Sequence, residues 1–406
     1  MRGQITAAIG KFEIPSYPYE ALSSLKALAE RHAGGVVDLS IGSPCDQAPR
    51  VVLEALRSSA DANGYPASAG SPRFREAASG WMRRRFGVDI PPTDVAACVG
   101  TKELVASAPG VLRLHFPGRD TVLYPAVSYP TYEMGALLAG LRAVPVPIGE
   151  AGAMDLSAIS PDDASRALAL WVNSPSNPTG KLSELETAAN WGRLARVPVF
   201  SDECYTELTW LGRPRSILEH GSEGVVAVHS LSKRSNLAGL RAGFYAGDPS
   251  LVHLLREVRR HAGLMVPGPV QEAAAAALDD DEHVRAQRRE YRKRLERFIQ
   301  ILVSIGVPAT LPEGGFYLWV KAEDTRELPG DSVGVEGDEK PLARGGGWAL
   351  ARSLARQLGV LVAPGDLYGP PGAGYVRIAM VQPMERLDLV AGRAALRPGS
   401  FGAWQT

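Results

Sequence analysis

Apolar and polar residues alternate along the middle of the chain as short runs separated by longer, periodic stretches. Seven apolar runs stand out: 95–100 (VAACVG), 121–125 (TVLYP), 142–148 (RAVPVPI), 167–172 (ALALWV), 197–202 (VPVFSD), 225–230 (VVAVHS) and 241–247 (RAGFYAG). Each is a few residues long and mostly rich in β-branched or other apolar side chains. Such runs are typical of strands buried on both faces. Stretches with helical spacing lie between several of them, for example 103–115 and 183–196. The alternation predicts an α/β fold, a mostly parallel seven-stranded sheet with helices on both faces. Ligands then sit beyond the carboxyl ends of the strands.

From about residue 275 the pattern changes. A long charged helix is predicted over roughly 281–305, followed by Gly314 and Gly315 and the apolar run FYLWV. A second amphipathic stretch at 347–358 leads to LVAPG and then YVRIAM. We read residues 1–45 as an N-terminal arm and part of a small domain, 46–275 as the large domain, and 276–406 as a smaller α+β domain. Residues 321–346 are charged and Gly-rich without periodicity, which predicts a mobile surface loop.

The 406 residues exceed what one ordinary domain needs. Lys plus Arg equals Asp plus Glu, at 44 each. That balance argues against a general nucleic-acid surface and against an anionic-membrane anchor. No uncharged apolar run approaches the ~20 residues of a membrane span. The N-terminus lacks the apolar core of a signal peptide. Cys45, Cys98 and Cys204 show no paired spacing for a disulfide frame or a zinc site. A cytoplasmic protein is expected.

The central chemical signal is SLSKRSNLAGLRAG, residues 230–243, at the end of the run VVAVHS. It offers the hydroxyls of Ser230 and Ser232, then Lys233, then Arg241. Hydroxyls and a bidentate arginine at a strand end suit a phosphate dianion. A lysine there can form an imine with an aldehyde. A Ser-rich loop with a solvated lysine would carry the same letters. Three further segments bear on the choice: GTKE (100–103), NSPSNPTG (173–180) and SDECY (201–205). Each lies at the carboxyl end of a predicted strand.

In motif order and spacing, over nearly its whole length, the chain resembles the fold-type-I pyridoxal-phosphate enzymes of the aminotransferase class I/II family. The resemblance implies pyridoxal 5'-phosphate as cofactor, carried by Lys233 as an imine. It implies Asp202 beside the ring nitrogen, Tyr205 and Asn177 on the phenolic oxygen, and Tyr129 on the ring face. Ser230, Ser232 and Arg241 would hold the phosphate, with Gly100 and the backbone N–H groups of Thr101 and Lys102 at a helix start. Tyr65, in GYPASAG, matches a tyrosine that reaches the phosphate from the partner subunit, so a homodimer with shared sites is implied. Arg377, in YVRIAM, matches the clamp for the substrate α-carboxylate, and Gly42, in LSIGSP, lines that pocket.

The chemistry has physical reasons of its own. A carbanion at Cα needs an electron sink, and a pyridine ring serves only while its nitrogen stays protonated. A carboxylate at ~3 Å, with an effective dielectric of ~20, favours that proton by ~5–6 kcal/mol of gross Coulomb energy. As an imine, Lys233 avoids the protonated state of a free lysine. Once released it is a neutral base beside Cα. A guanidinium–carboxylate pair fixes which Cα bond stands perpendicular to the ring. His229, Cys204 and the basic residues near 285–297 are read as packing or solvated surface.

A closer resemblance joins VDLSIGSPCD, GTKELVA, VHSLSKRSNLAG and LVAPGDLYGP to the N-succinyldiaminopimelate aminotransferase branch. It implies transfer between glutamate and N-succinyl-2-amino-6-oxopimelate. A general aminotransferase acting on aspartate, aromatic or other amino acids is the next reading, and a β-lyase of the same fold the third. A winged-helix regulator is disfavoured because the aminotransferase-like pattern begins near residue 14. A nicotinamide dehydrogenase is disfavoured because no GxGxxG follows an early strand. Tyr17, Tyr19 and Lys102 are candidates for reading the distal end of the substrate.

Overall fold

The computed structural model describes residues 18–59, 63–149, 152–322 and 345–396. The expected arm residues 1–17, Tyr17 among them, and most of the expected loop at 321–346 lie outside these residues.

Twelve strands form three sheets among the described residues. In chain order they are β1 (Val37–Asp38), β2 (Val95–Cys98), β3 (Thr121–Pro125), β4 (Arg142–Val146), β5 (Ala167–Asn173) and β6 (Val199–Asp202). There follow β7 (Val225–Ser230), β8 (Gly243–Gly247), β9 (Tyr317–Lys321), β10 (Val360–Leu361), β11 (Ala363–Pro364) and β12 (Tyr375–Ala379). The large sheet has the order β2-β8-β7-β6-β5-β3-β4. Its pairings are parallel except those of β8, which runs antiparallel to both β2 and β7.

All seven expected runs become strands of this sheet. Residues of β5, β6, β7 and β8 are buried without exception. Successive side chains feed two different cores, as a period of two requires. Val199, Val225 and Phe244 join Phe74 and Trp81 on one face. Phe200, Val226 and Tyr245 join Leu104 and Tyr132 on the other. The run ends are less exact than the runs. The run 142–148 stops pairing at Val146, and the run 241–247 begins pairing only at Gly243. Arg241, with φ +54°, turns the chain into β8.

Register places the chemistry. Cys98 pairs with Gly243, and Gly243 pairs with Ser230. The end of β2, the start of β8 and the end of β7 therefore share one edge of the sheet. Asn173 pairs with Asp202 at the ends of β5 and β6 on that same edge. The helix Thr101–His115 starts there too.

The remaining strands lie apart from the large sheet. β1 pairs with β10 in parallel, and β11, β12 and β9 form a three-stranded antiparallel sheet. A third core gathers Leu25 and Val37 with Phe298, Leu354, Val360 and Val376. The long charged helix spans Glu282–Ser304. No helix among the described residues is long and apolar enough to cross a membrane.

Candidate active site

A cleft of about 210 Å³ opens at that strand edge, where it faces β9 and β12. It gathers Gly42, Thr101, Lys102, Tyr129, Asn177, Asp202, Tyr205, Ser230, Ser232, Lys233, Arg241 and Arg377. Twelve residues singled out from the sequence thus converge from positions spread over the chain. Gly100 lies just behind the wall. Tyr65 stands apart, 98% exposed on the surface and outside the cleft.

At one end the groups are suited to an anion. Ser230 caps the short turn Leu231–Arg234, its Oγ accepting from the Ser232 N–H at 3.1 Å. Arg241 donates through Nη1 to the Ala238 carbonyl at 2.8 Å. Gly100 has φ +79°, and a Cβ there would fall 2.3 Å from Arg241 Nη2. Glycine takes this backbone angle without strain, and a side chain there would displace the guanidinium. The helix that follows leaves its first-turn N–H groups without intrahelical partners.

In the middle stand Lys233 and Asp202. Lys233 donates through Nζ to the Gly42 carbonyl. Burial, with the charges of Arg377 and Arg241 adding to it, lowers its ammonium pKa to about 8. Asp202 accepts from the Tyr132 hydroxyl at 2.8 Å and from the Cys204 N–H at 3.2 Å. Burial raises its pKa above the usual carboxylate range, against the pull of these hydrogen bonds. Neither partner is cationic. A buried carboxylate of this kind fits a protonated ring nitrogen as its counter-charge.

At the other end lies Arg377, 2% exposed in β12. It donates through Nη1 to Asn177 Oδ1 at 3.0 Å and through Nη2 to the Ser40 carbonyl. Among the described residues its Nε has no hydrogen-bond partner. The guanidinium lies 4.4 Å from the ring centre of Tyr317 and 4.8 Å from that of Tyr368. The Tyr368 hydroxyl meets that of Tyr19 at 2.9 Å. Asn177 spends its oxygen on Arg377, so its NH₂ group remains to donate. The Asn177 N–H binds Asn173 Oδ1 at 2.7 Å, and Asn173 Nδ2 binds the Asp202 carbonyl at 2.8 Å. The clamp and the central carboxylate are thereby tied together.

Three polar residues lining the cleft escaped the sequence reading: Tyr132, Tyr317 and Asn173. Asn173 was within reach, since it opens NSPSNPTG. Cys204 is a correction. It was expected to point into the core; it packs against the core and also lines the cleft, its Sγ 3.2 Å from Thr101 Oγ1. Cys204 follows Asp202 by two residues and shares its side, while Glu203 points away. Glu203 reaches His229, whose Nε2 lies 3.4 Å from Glu203 Oε2. His229 packs among Trp81, Phe86 and Phe244, the packing role read from the sequence. Among the described residues no group of His, Cys, Asp or Glu is arranged to hold a metal ion.

Residues 34–393 match the family described as aminotransferase class I and II. The chain is 42% identical over 391 residues to 4-dedimethylamino-4-oxo-anhydrotetracycline transaminase OxyQ of Streptomyces rimosus, covering 94% of this chain and 99% of that protein. It is 32% identical to LL-diaminopimelate aminotransferase of Aquifex aeolicus, covering 94% of this chain and 96% of that one. The solved structure of a probable N-succinyldiaminopimelate aminotransferase from Thermus thermophilus superposes with a TM-score of 0.79. It has 29% identity and covers 93% of this chain and 98% of that one.

Proposed function

The chain belongs to the class I and II aminotransferases, which depend on pyridoxal 5'-phosphate, and we propose that it moves an amino group between glutamate and N-succinyl-2-amino-6-oxopimelate. The observation that carries the catalytic reading is the convergence of Lys233, Asp202, Asn177 and Arg377 in one cleft. The cleft fits the cofactor at three points: an anion-binding end, an amine with a lowered pKa, and a buried carboxylate without a cation.

When bound, the cofactor supplies the electron sink for the charge left at Cα. Lys233 holds it by its aldehyde and later moves the proton at Cα as a neutral base. Asp202 keeps the ring nitrogen protonated. Tyr205 and the Asn177 amide donate to the phenolic oxygen, and Tyr129 covers the ring face. Ser230, Ser232, Arg241 and the N–H groups of Thr101 and Lys102 hold the phosphate. Arg377, open at Nε among the described residues and packed against the phenol rings of Tyr317 and Tyr368, takes the α-carboxylate, with Gly42 leaving room beside it. Tyr65, an exposed aromatic in a Gly- and Pro-flanked turn, serves the site of a second copy in a homodimer. Mixing Tyr65→Ala and Lys233→Ala subunits then restores part of the activity. No restoration would refute the shared site.

The diaminopimelate names of the Aquifex and Thermus relatives support the substrate. Glutamate and the succinylated compound share an α-amino acid head and differ in length. Lys102, exposed at the cleft mouth, is the cation placed for a distal carboxylate. A second reading is favoured by the 42% identity to OxyQ, whose name specifies an oxo group on a polycyclic ring system. On that reading Tyr19, Ile41 and Tyr129 face a flat apolar acceptor. An amino-donor and acceptor screen with purified protein separates the two. Turnover of a ring ketone without turnover of the succinylated oxo acid would overturn the first reading.

A further inference from the structure

Tyr317 is the first residue of β9, 2% exposed, and its phenol stands where three parts of the cleft meet. Its hydroxyl lies 2.9 Å from that of Tyr205. Its ring carries the Arg377 guanidinium at 4.4 Å. A Cβ at Gly42 would fall 2.2 Å from its hydroxyl oxygen, and Gly42 in turn accepts the Lys233 hydrogen bond through its carbonyl. Gly42 is thus a glycine because the Tyr317 hydroxyl fills the place of a side chain.

We propose that Tyr317 is a positioning residue with two separable tasks, its hydroxyl aiming Tyr205 and its ring supporting Arg377. The proposal rests on the cofactor reading above. Of two phenols sharing one hydrogen bond, one donates and the other accepts. The positive charge over the Tyr317 ring favours Tyr317 as donor. Tyr205 then accepts from Tyr317 and keeps its own proton for the cofactor's phenolic oxygen, and the two bonds strengthen each other. The contact between ring and guanidinium steadies Arg377 for a carboxylate, a contact worth more when desolvated, as here.

The test uses the holoenzyme and the variants Tyr317→Phe, Tyr317→Leu and Gly42→Ala. Its readouts are the pH titration of the bound cofactor's visible absorption, and kcat and KM for glutamate. Tyr317→Phe keeps the ring and loses the hydroxyl. The titration midpoint moves upward by about 0.4–1 pH unit, the equivalent of one neutral hydrogen bond. A weaker Tyr205 donor leaves more charge on the cofactor oxygen to hold the neighbouring proton. In this variant kcat falls about 3- to 10-fold and KM stays within about 2-fold. Tyr317→Leu also raises KM, about 5- to 30-fold. Gly42→Ala pushes the hydroxyl aside and reproduces the upward midpoint, which keeps the test open if the leucine variant fails to fold. An unchanged midpoint in both Tyr317→Phe and Gly42→Ala overturns the first task. A folded Tyr317→Leu with the KM of Tyr317→Phe overturns the second. A wild-type chain that takes up no cofactor would instead overturn the reading beneath.

Discussion

Tyr132 donates its hydroxyl proton to Oδ2 of Asp202 across 2.8 Å. The two come from the start of the helix Thr131–Leu138 and the end of β6. The phenol stacks on Trp171 at 5.4 Å, which fixes its direction. Tyr132→Phe is expected to keep the cofactor and lower kcat about 3- to 10-fold, the loss of one buried hydrogen bond. Asp202→Asn removes the counter-charge itself and is expected to cost at least about 100-fold. Steady-state kinetics on both variants checks the order. An effect of Tyr132→Phe as large as that of Asp202→Asn would give the phenol a chemical role of its own.

Lys233 titrates at about 8 because burial disfavours the ammonium. On the proposed role the neutral amine would take the cofactor aldehyde, so uptake by the cofactor-free protein should quicken as pH rises through about 8 and then level off. Stopped-flow absorbance follows this, and borohydride reduction should fix the cofactor to Lys233. Stability has its own sign. The folded pKa lies below the free lysine value, so the unfolded chain binds the extra proton between about 8 and 10.5. Stability of the cofactor-free protein therefore gains from this group as pH rises through that window.

Glu203 and His229 form a buried pair without an ion pair. Burial raises the carboxyl pKa to about 8 and lowers the imidazole pKa to about 3. Glu203 accepts from the Ile217 N–H at 2.8 Å and from Ser201 Oγ at 2.9 Å, while Oε2 faces His229. The folded pKa is raised above the unfolded value. This contribution is thus fully present below about pH 4.5 and is lost as pH climbs through about 8. The slope reaches about 1.4 kcal/mol per pH unit. Glu203→Gln removes it. The lowered His229 pKa acts with the opposite sign up to about pH 6.5, so denaturation of wild type and variant between pH 6.5 and 8 should show the wild type alone weakening by this term.

On the proposed role, Arg377→Ala leaves a substrate carboxylate without its charged partner, and it breaks the tie to Asn177. A charge-assisted pair of this kind contributes roughly 1.5–3 kcal/mol, so kcat/KM should fall about 10- to 150-fold for both half-reactions. Arg377→Lys should recover little, because an ammonium offers a carboxylate no planar, bidentate fork. Half-reaction kinetics by absorbance decides. A loss confined to one substrate would mean that Arg377 reads the distal end instead.

Much of the sheet was legible because buried strands advertise themselves: ALALWV has no polar face, and β5 is buried at every residue. Strand ends were less legible, since pairing stops where neighbours stop, as at Val146. The cleft residues Asp202 and Ser230 were legible because each ends a strand on one edge of the large sheet. Tyr317 was not. Its partner Tyr205 is 112 residues away, and no local spacing announces a phenol–phenol contact. Tyr132 meets Asp202 over a separation of 70 residues, and hid for the same reason. Cys204 reaches the cleft as well as the core because the alternation of β6 continues past its last pair, turning Glu203 away and Cys204 to the side of Asp202.

The parallel pairing of Val37–Asp38 with Val360–Leu361 also bears on how the chain is made. A ribosome emits β1 early and its partner about 320 residues later. At ~5–20 residues per second, that is a wait on the order of tens of seconds. During it, Leu25 and Val37 have no completed core to enter, since Leu354, Val360 and Val376 do not yet exist. The large sheet, whose strands lie between residues 95 and 247, is complete well before. Nascent chains arrested before residue 346 should therefore protect the large sheet from protease while leaving the segment around Leu25 and Val37 open to cleavage.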